Sequence, residues 1–405
     1  MILFLLFAVA PSHTALAPEP TPGLLAREIG PATMGGRIPS LDVVESDSHI
    51  QYVATAGSGV WKTTDDGRSW KCVFEGQPNP SIGAVAVAPS ASNVVYVGTG
   101  EGNIRNSVSW GNGVFVSRDS GATWTHVGLV ETHHIARIAV HPNNADTAFV
   151  AALGRAWGAN PERGLFRTRN GGKNWEHVLK LDSDTGCVDV VIDPSDPNYV
   201  YAAAYRVRRG PFSGGNPAVQ FGPLAGIYRS RDGGATFVKL QNGLPTRDYG
   251  RVGLTVYRKN PKVLFAVVQT DQTSTVNLPG QAATPAGKPV GSVDRGGIFR
   301  SDDRGDTWTK INDLVPRPFY FGKIRVDPTD ERKLWVLGIP LNFSRDAGRT
   351  FINGGGVNVH VDHHALWINP QDPNHLILGN DGGLYYSRTQ GAKWTPIRNL
   401  PISQT

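Results

Sequence analysis

An eight-residue box, Ser/Thr-x-Asp-x-Gly-x-x-aromatic, recurs seven times along this chain, and a repeat of that kind restricts the fold more than composition does. It runs Thr63…Asp65…Gly67…Trp70, Ser117…Asp119…Gly121…Trp124, Thr168…Asn170…Gly172…Trp175 and Ser230…Asp232…Gly234…Phe237. Ser301…Asp303…Gly305…Trp308, Ser344…Asp346…Gly348…Phe351 and Ser387…Thr389…Gly391…Trp394 complete the set. The hydroxyl, glycine and aromatic hold throughout, whereas the acid is Asn in the third box and Thr in the seventh. Two apolar-alternating strands precede each box, as in Ile82 to Val87 and Asn93 to Val97. A Gly-apolar-aromatic strand such as Gly113-Val-Phe115 then leads into the box. Four short strands in about 40–50 residues, repeated, mark a propeller blade. The chain is therefore expected to be all-β: a seven-bladed β-propeller of four-stranded antiparallel blades over residues 35–405. The blades are placed at about 35–77, 78–131, 132–182, 183–245, 246–316, 317–357 and 358–405.

The box has a structural task. Its glycine takes the positive φ of a tight hairpin, the acid and hydroxyl bond within the turn, and the aromatic packs on the blade. Asp65, Asp119, Asn170, Asp232, Asp303 and Asp346 are read as turn residues rather than catalysts, since function sits in sites and not in the scaffold.

Composition agrees. The 48 Gly and 29 Pro suit a turn-rich β protein, and 10 Trp exclude a disordered chain. A net charge of +6 without any Lys/Arg run gives nucleic-acid binding little support. The two cysteines exclude a disulfide framework, and Cys72 and Cys187, three blades apart, are expected to stay unbonded. Residues 1–17 read as an export signal, with an apolar run from Leu3 to Ala10 and a cleavage pattern at Ala15-Leu16-Ala17. No Lys or Arg precedes that run and Pro18 follows the cut, both departures from the usual pattern. Residues 18–34 form a linker, no segment spans a membrane, and the expected location is secreted or periplasmic.

The boxes resemble the Asp-box, or BNR, repeats of sialidase-like and sortilin-like propellers. Ile29-Gly30-Pro31, Gly35-Gly36-Arg37, Gly59-Val-Trp61-Lys-Thr63, Gly98-Thr-Gly100-Glu101, His360-x-Asp362-His363-His364 and Asn380-Asp381-Gly382-Gly383 look like bacterial secreted proteins with sortilin-type propellers. Such proteins are often labelled glycosyl hydrolases. The repeat is also similar to that of xyloglucan-active glucanases, which pair two propellers around a glucan cleft, and to that of a photosystem II assembly factor. The resemblance to the glucanases implies an acid in a first-blade turn, but Ala56 fills that slot in Thr55-Ala56-Gly57-Ser58-Gly59. Their second acid lies in a second propeller.

The boxes mark one face, so the loops between second and third strands and the links between blades mark the other. Loops on a rigid scaffold carry binding. Candidate ligand-binding residues on that face are Arg105, Trp110, His134, Arg137, Arg155, Trp157, Arg206 and Asn380. Arg208, Arg209 and Arg163 lie beside them, and a Thr/Pro/Gly-rich insert occupies residues 270–296. Glu101, Asp381 and Asp362 are the candidate catalytic carboxylates, because glycosidases need two at controlled spacing. The alternative for Asp381 is shaping its own turn, and for Glu101 a solvated loop acid. His360, Asp362 and His364 fall on one side of an extended chain and form a weak candidate metal set. No cofactor is expected. Arg137, Asp189 and Lys323 are placed at the channel mouth, paired between blades.

The expected function is an exported sortilin-like propeller that binds a peptide, protein or glycan on the face opposite the boxes. The alternative is a glycoside hydrolase acting on a β-glucan such as xyloglucan. Blades 1 and 7 each own four strands, so no strand is left to exchange between them. The chain is accordingly read as the N-terminal part of a larger protein, with further blades missing and apolar surface exposed on blades 1 and 7.

Overall fold

A computed structural model describes residues 36–105, 108–210, 215–273, 289–356 and 358–402. The signal and linker readings, and most of the 270–296 insert, lie outside the described residues. The described strands form seven four-stranded antiparallel sheets, each made of four consecutive strands in sequence order. The inner strands are Ser40–Val43, Ile82–Ala88, Ile135–His141, Thr185–Ile192, Tyr249–Val256, Lys323–Val326 and His363–Ile368. They surround the central channel. The outermost strands are shorter, several of them two residues long, as at Lys71–Cys72 and Thr395–Pro396. Among the described residues no helix is long and apolar enough to cross a membrane.

Each Asp box closes the same hairpin. The Thr63 hydroxyl accepts the Gly67 N–H at 3.0 Å, and Asp65 accepts both the N–H and the hydroxyl of Ser69, at 2.9 and 2.6 Å. In the third box the Asn170 amide oxygen takes the Asn174 N–H at 2.9 Å, and in the seventh the Thr389 hydroxyl takes the Lys393 N–H at 2.8 Å. An oxygen acceptor, rather than a charge, is what the turn requires. The sequence reading gave positive φ to the glycine alone. The residue before it is left-handed too, at Asp66, Ser120, Arg304, Ala347 and Gln390, with Gly171 and Gly233 in the other two boxes.

The box aromatics staple neighbouring blades. The indole N–H of Trp124 donates to the Val73 carbonyl at 2.6 Å, Trp175 to Val127 at 2.7 Å, and Trp394 to Gly354 at 2.9 Å. Each acceptor belongs to the preceding blade. Among the described residues the buried Trp70 indole N–H has no partner.

The ring is closed without strand exchange, but the expected exposed apolar faces are not there. Ile38, Val43 and Val53 pack against Ile377, Leu384, Tyr386, Leu400 and Ile402. The Ile38 N–H donates to the Asn380 carbonyl at 3.1 Å, and the Asn399 amide to the Gly67 and Arg68 carbonyls at 3.0 and 2.8 Å. Arg388 pairs with Asp66, and the Tyr386 hydroxyl bonds Gln51. Blades 1 and 7 bury each other, at about 1.5–3 kcal/mol per large apolar side chain relative to exposure. Among the described residues, blades 1 and 7 therefore leave no open apolar face between them to make the ring marginally stable. Cys72 and Cys187 are both free thiols.

Candidate functional site

Arg37, in the link that leads into blade 1, organises the upper end of the channel. It is buried, donates from Nη1 to Glu101 Oε2 at 2.8 Å, and donates from Nε to Asp381 Oδ1 at 3.0 Å. Glu101 follows the second strand of blade 2, and the chain before it turns at Gly100 with φ 79°. A Cβ at Gly100 would lie 1.8 Å from the His133 carbonyl oxygen, so only glycine lets the loop approach blade 3 and aim Glu101 inward. Asp381 sits in the tight turn between the second and third strands of blade 7, where the Asn380 side chain takes the Gly382 N–H at 2.9 Å.

Asp381 has two further donors. His364 Nε2 donates to Oδ1 at 2.8 Å and the Tyr320 hydroxyl to Oδ2 at 2.8 Å. Three guanidinium groups lie over the Tyr320 ring, Arg105 at 4.8 Å, Arg37 at 5.2 Å and Arg317 at 5.8 Å from its centroid. Arg251, from blade 5, reaches Asn103 at 3.1 Å and the Phe319 carbonyl at 3.1 Å.

The charges follow from these contacts. Burial pushes the Asp381 carboxyl up, but His364, Arg37 and Tyr320 outweigh it and hold it well below the usual carboxylate range. Glu101 is raised by burial, against the pull of Arg37. Asp362 is raised by burial and by Asp381. Burial holds His364 down at about 4 despite Asp381, so it is a neutral donor. His134 Nδ1 bonds the Glu101 carbonyl at 3.0 Å, and burial holds that ring at about 4.

The other predicted residues are spread more widely. Trp110 and Trp157 stand out at the rim, 64 % and 44 % exposed. Arg155 bonds Glu131 at 3.1 Å and His133 at 3.0 Å, and Arg206 lies 3.6 Å from Asp184. Asn380 is buried and donates to the His360 carbonyl at 2.9 Å, so like His134 it holds backbone. Arg137 and Asp189 are on inner strands within the channel, 3.9 Å apart across blades 3 and 4.

The metal reading is corrected. Among the described residues no group of three or more His, Cys, Asp or Glu is placed to hold a metal ion. Asp362 has φ 66°, which breaks the alternation that put His360, Asp362 and His364 on one side. His364 is committed to Asp381, while His360 bonds the Val361 carbonyl at 2.8 Å. Arg37 and Tyr320 were missed as site residues. Their signals were the Gly35-Gly36-Arg37 run, read only for its resemblance, and the aromatic triplet Phe319-Tyr320-Phe321 beside Arg317.

Comparison with known proteins agrees with the fold. The family model described as sortilin, neurotensin receptor 3, matches residues 112–281, and the BNR-Asp box repeat model matches residues 298–311. A xyloglucanase of a Paenibacillus species is 25% identical over 317 residues, covering 76% of this chain and 24% of its own length. The GH74 enzyme of Niastella koreensis superposes with a TM-score of 0.60 at 18% identity, covering 92% of this chain and 55% of that one. YCF48 bound to D1 peptide superposes with a TM-score of 0.53 at 15% identity, covering 90% and 98%. The chain is an Asp-box propeller related to the xyloglucanases, and it spans about a quarter of the length of the curated xyloglucanases it matches.

Proposed function

We propose that this chain is an exported binding propeller whose face opposite the Asp boxes holds an extended peptide or protein segment carrying carboxylates. One observation supports this above others: the acids at the centre of that face are already taken, and arginines beside them are not. Glu101 is 1 % and Asp381 9 % exposed, and both are bonded to Arg37. Arg105 stacks on Tyr320 and Arg317 on Phe319, 4.8 Å from each centroid. Among the described residues neither arginine has a carboxylate within ion-pair distance. A guanidinium held over a ring keeps its N–H donors available to a ligand carboxylate. Trp110 and Trp157 add exposed aromatic surface. A neighbour of the same fold, YCF48 bound to D1 peptide, lends support to the peptide reading. Export rests on the apolar run at residues 3–10.

Relatedness to xyloglucanases favours a second reading, hydrolysis of a β-glucan by Glu101, Asp381 or Asp362. Against it stand the withdrawn acids and Ala56, whose N–H donates to the Arg37 carbonyl at 3.1 Å. Fluorescence anisotropy with a labelled peptide of alternating glutamate and leucine, and with its lysine counterpart, tests the first reading. The glutamate peptide should bind saturably, and the double variant Arg105→Ala/Arg317→Ala should weaken it by about tenfold or more. Equal binding by the double variant would overturn it.

A further inference from the structure

We propose that the interior of the channel, along the inner strands, is a further site for a small tetrahedral oxyanion of the phosphate or sulfate class. A cavity of about 220 Å³ lies there, lined among others by Ser40, Asp42, Arg137, Arg258, Lys323 and Arg325. Its walls run along the inner strands, from Ser40 and Lys323 at their starts to Val256, Val326 and Ile368 at their ends on the side of the Asp boxes.

Charge bookkeeping points to a missing anion. Arg258 is used up by two 2.6 Å bonds to Glu45. Asp42 spends its oxygens on the N–H groups of Val43 and Val87, at 3.0 and 2.8 Å, and burial pushes its carboxyl up to about 6. Asp189 accepts the N–H groups of Val190 and Leu254, each at 3.0 Å, and faces Arg137 only at 3.9 Å.

Lys323 and Arg325 have less still. Lys323 makes one bond, 2.8 Å to the Pro39 carbonyl, and Arg325 makes one, 2.8 Å to the Ile324 carbonyl. A lysine carries three donors and an arginine five. Among the described residues neither has a carboxylate within ion-pair distance. They alternate with buried Ile324, so both project from one side of their strand. Burial, then Arg325, Arg251 and Arg137, holds Lys323 well below the usual lysine range, and burial and Arg137, against Asp189 and Asp42, hold Arg325 at about 9. Three mutually repelling cations around a small cavity are relieved most by one compact dianion with several acceptor oxygens. A monovalent ion relieves them less, and an apolar ligand not at all.

Isothermal titration calorimetry on the full chain tests this, with inorganic phosphate, sulfate and glycerol 3-phosphate as separate titrants at ionic strength fixed with chloride. Saturable binding of at least one titrant is expected, weakened about tenfold or more by Lys323→Met/Arg325→Met. Binding by inorganic phosphate assigns a free anion, and binding by glycerol 3-phosphate alone assigns a phosphate monoester. No saturable heat from any titrant overturns the proposal. So does unchanged binding in the double variant, whose fold is checked by its thermal midpoint.

Discussion

At the upper end of the channel Arg37 joins Glu101 to Asp381, and His364 and Tyr320 complete the acid's bonds. Within the channel, along the inner strands, Lys323 and Arg325 face a cavity with one carbonyl bond each. Both regions gather charge from distant parts of the ring, but only the first balances it. A buried ion network with its partners in place fixes the relation of the blades that supply it, and removing one member leaves a charge stranded. Cations short of partners make no such contribution, and become useful when a ligand supplies the missing charge. The same contrast recurs within the upper face, where Arg105 and Arg317 stand outside the closed network.

The largest effect should come from breaking the closed region. Arg37→Met strands Glu101 and leaves Asp381 only His364 and Tyr320, and urea unfolding should show a loss of about 3–5 kcal/mol. A loss under about 1 kcal/mol would mean that the network is not a lock. The open region should respond with the opposite sign. Lys323→Met should leave stability in chloride buffer unchanged or raise it, because a poorly compensated cation is removed. A clear drop in midpoint would show that the lysine is as well satisfied as Arg37.

Acid should weaken the fold before any substitution is made. Burial holds His134, His364 and His375 at about 4 and His363 at about 3, whereas an unfolded histidine titrates near 6.5. The unfolded chain therefore takes up more protons as pH falls through 6.5, and stability declines from there toward 4. Asp42, raised to about 6, acts in the opposite direction, as do the raised Glu101 and Asp362. The thermal midpoint should be lower at pH 5.5 than at pH 7.5, and a flat or rising profile would contradict this balance. The smallest effect belongs to the repeated turns. Asp346→Ala removes the acceptor of the Thr350 N–H and hydroxyl, at 2.8 and 2.6 Å, and should cost about 1 kcal/mol without altering ligand binding.

Those turns also explain what was legible in advance. A box read seven times gives strand order, blade number and face, because each copy repeats the same local bonds within eight residues. Glu101 and Asp381 were visible as acids in glycine-flanked loops. Their joint capture by Arg37 was not, since it unites residues 64 and 344 positions apart. Alternation misplaced His360 and His364 because the strand begins only at His363 and a left-handed residue, Asp362, precedes it, a conformation that a non-glycine sequence does not announce. The covered faces of blades 1 and 7 were missed for a related reason: strand counting says nothing about whether two sheets pack.

The central claim is that the upper carboxylates are a structural lock on a binding face rather than an acid–base pair. Reducing-end release from xyloglucan, measured for the wild type and for Glu101→Gln/Asp381→Asn, tests it directly. The account predicts no release above background from either protein, with the double variant unfolding at a lower midpoint. Release by the wild type that disappears in the double variant, at an unchanged midpoint, would contradict it.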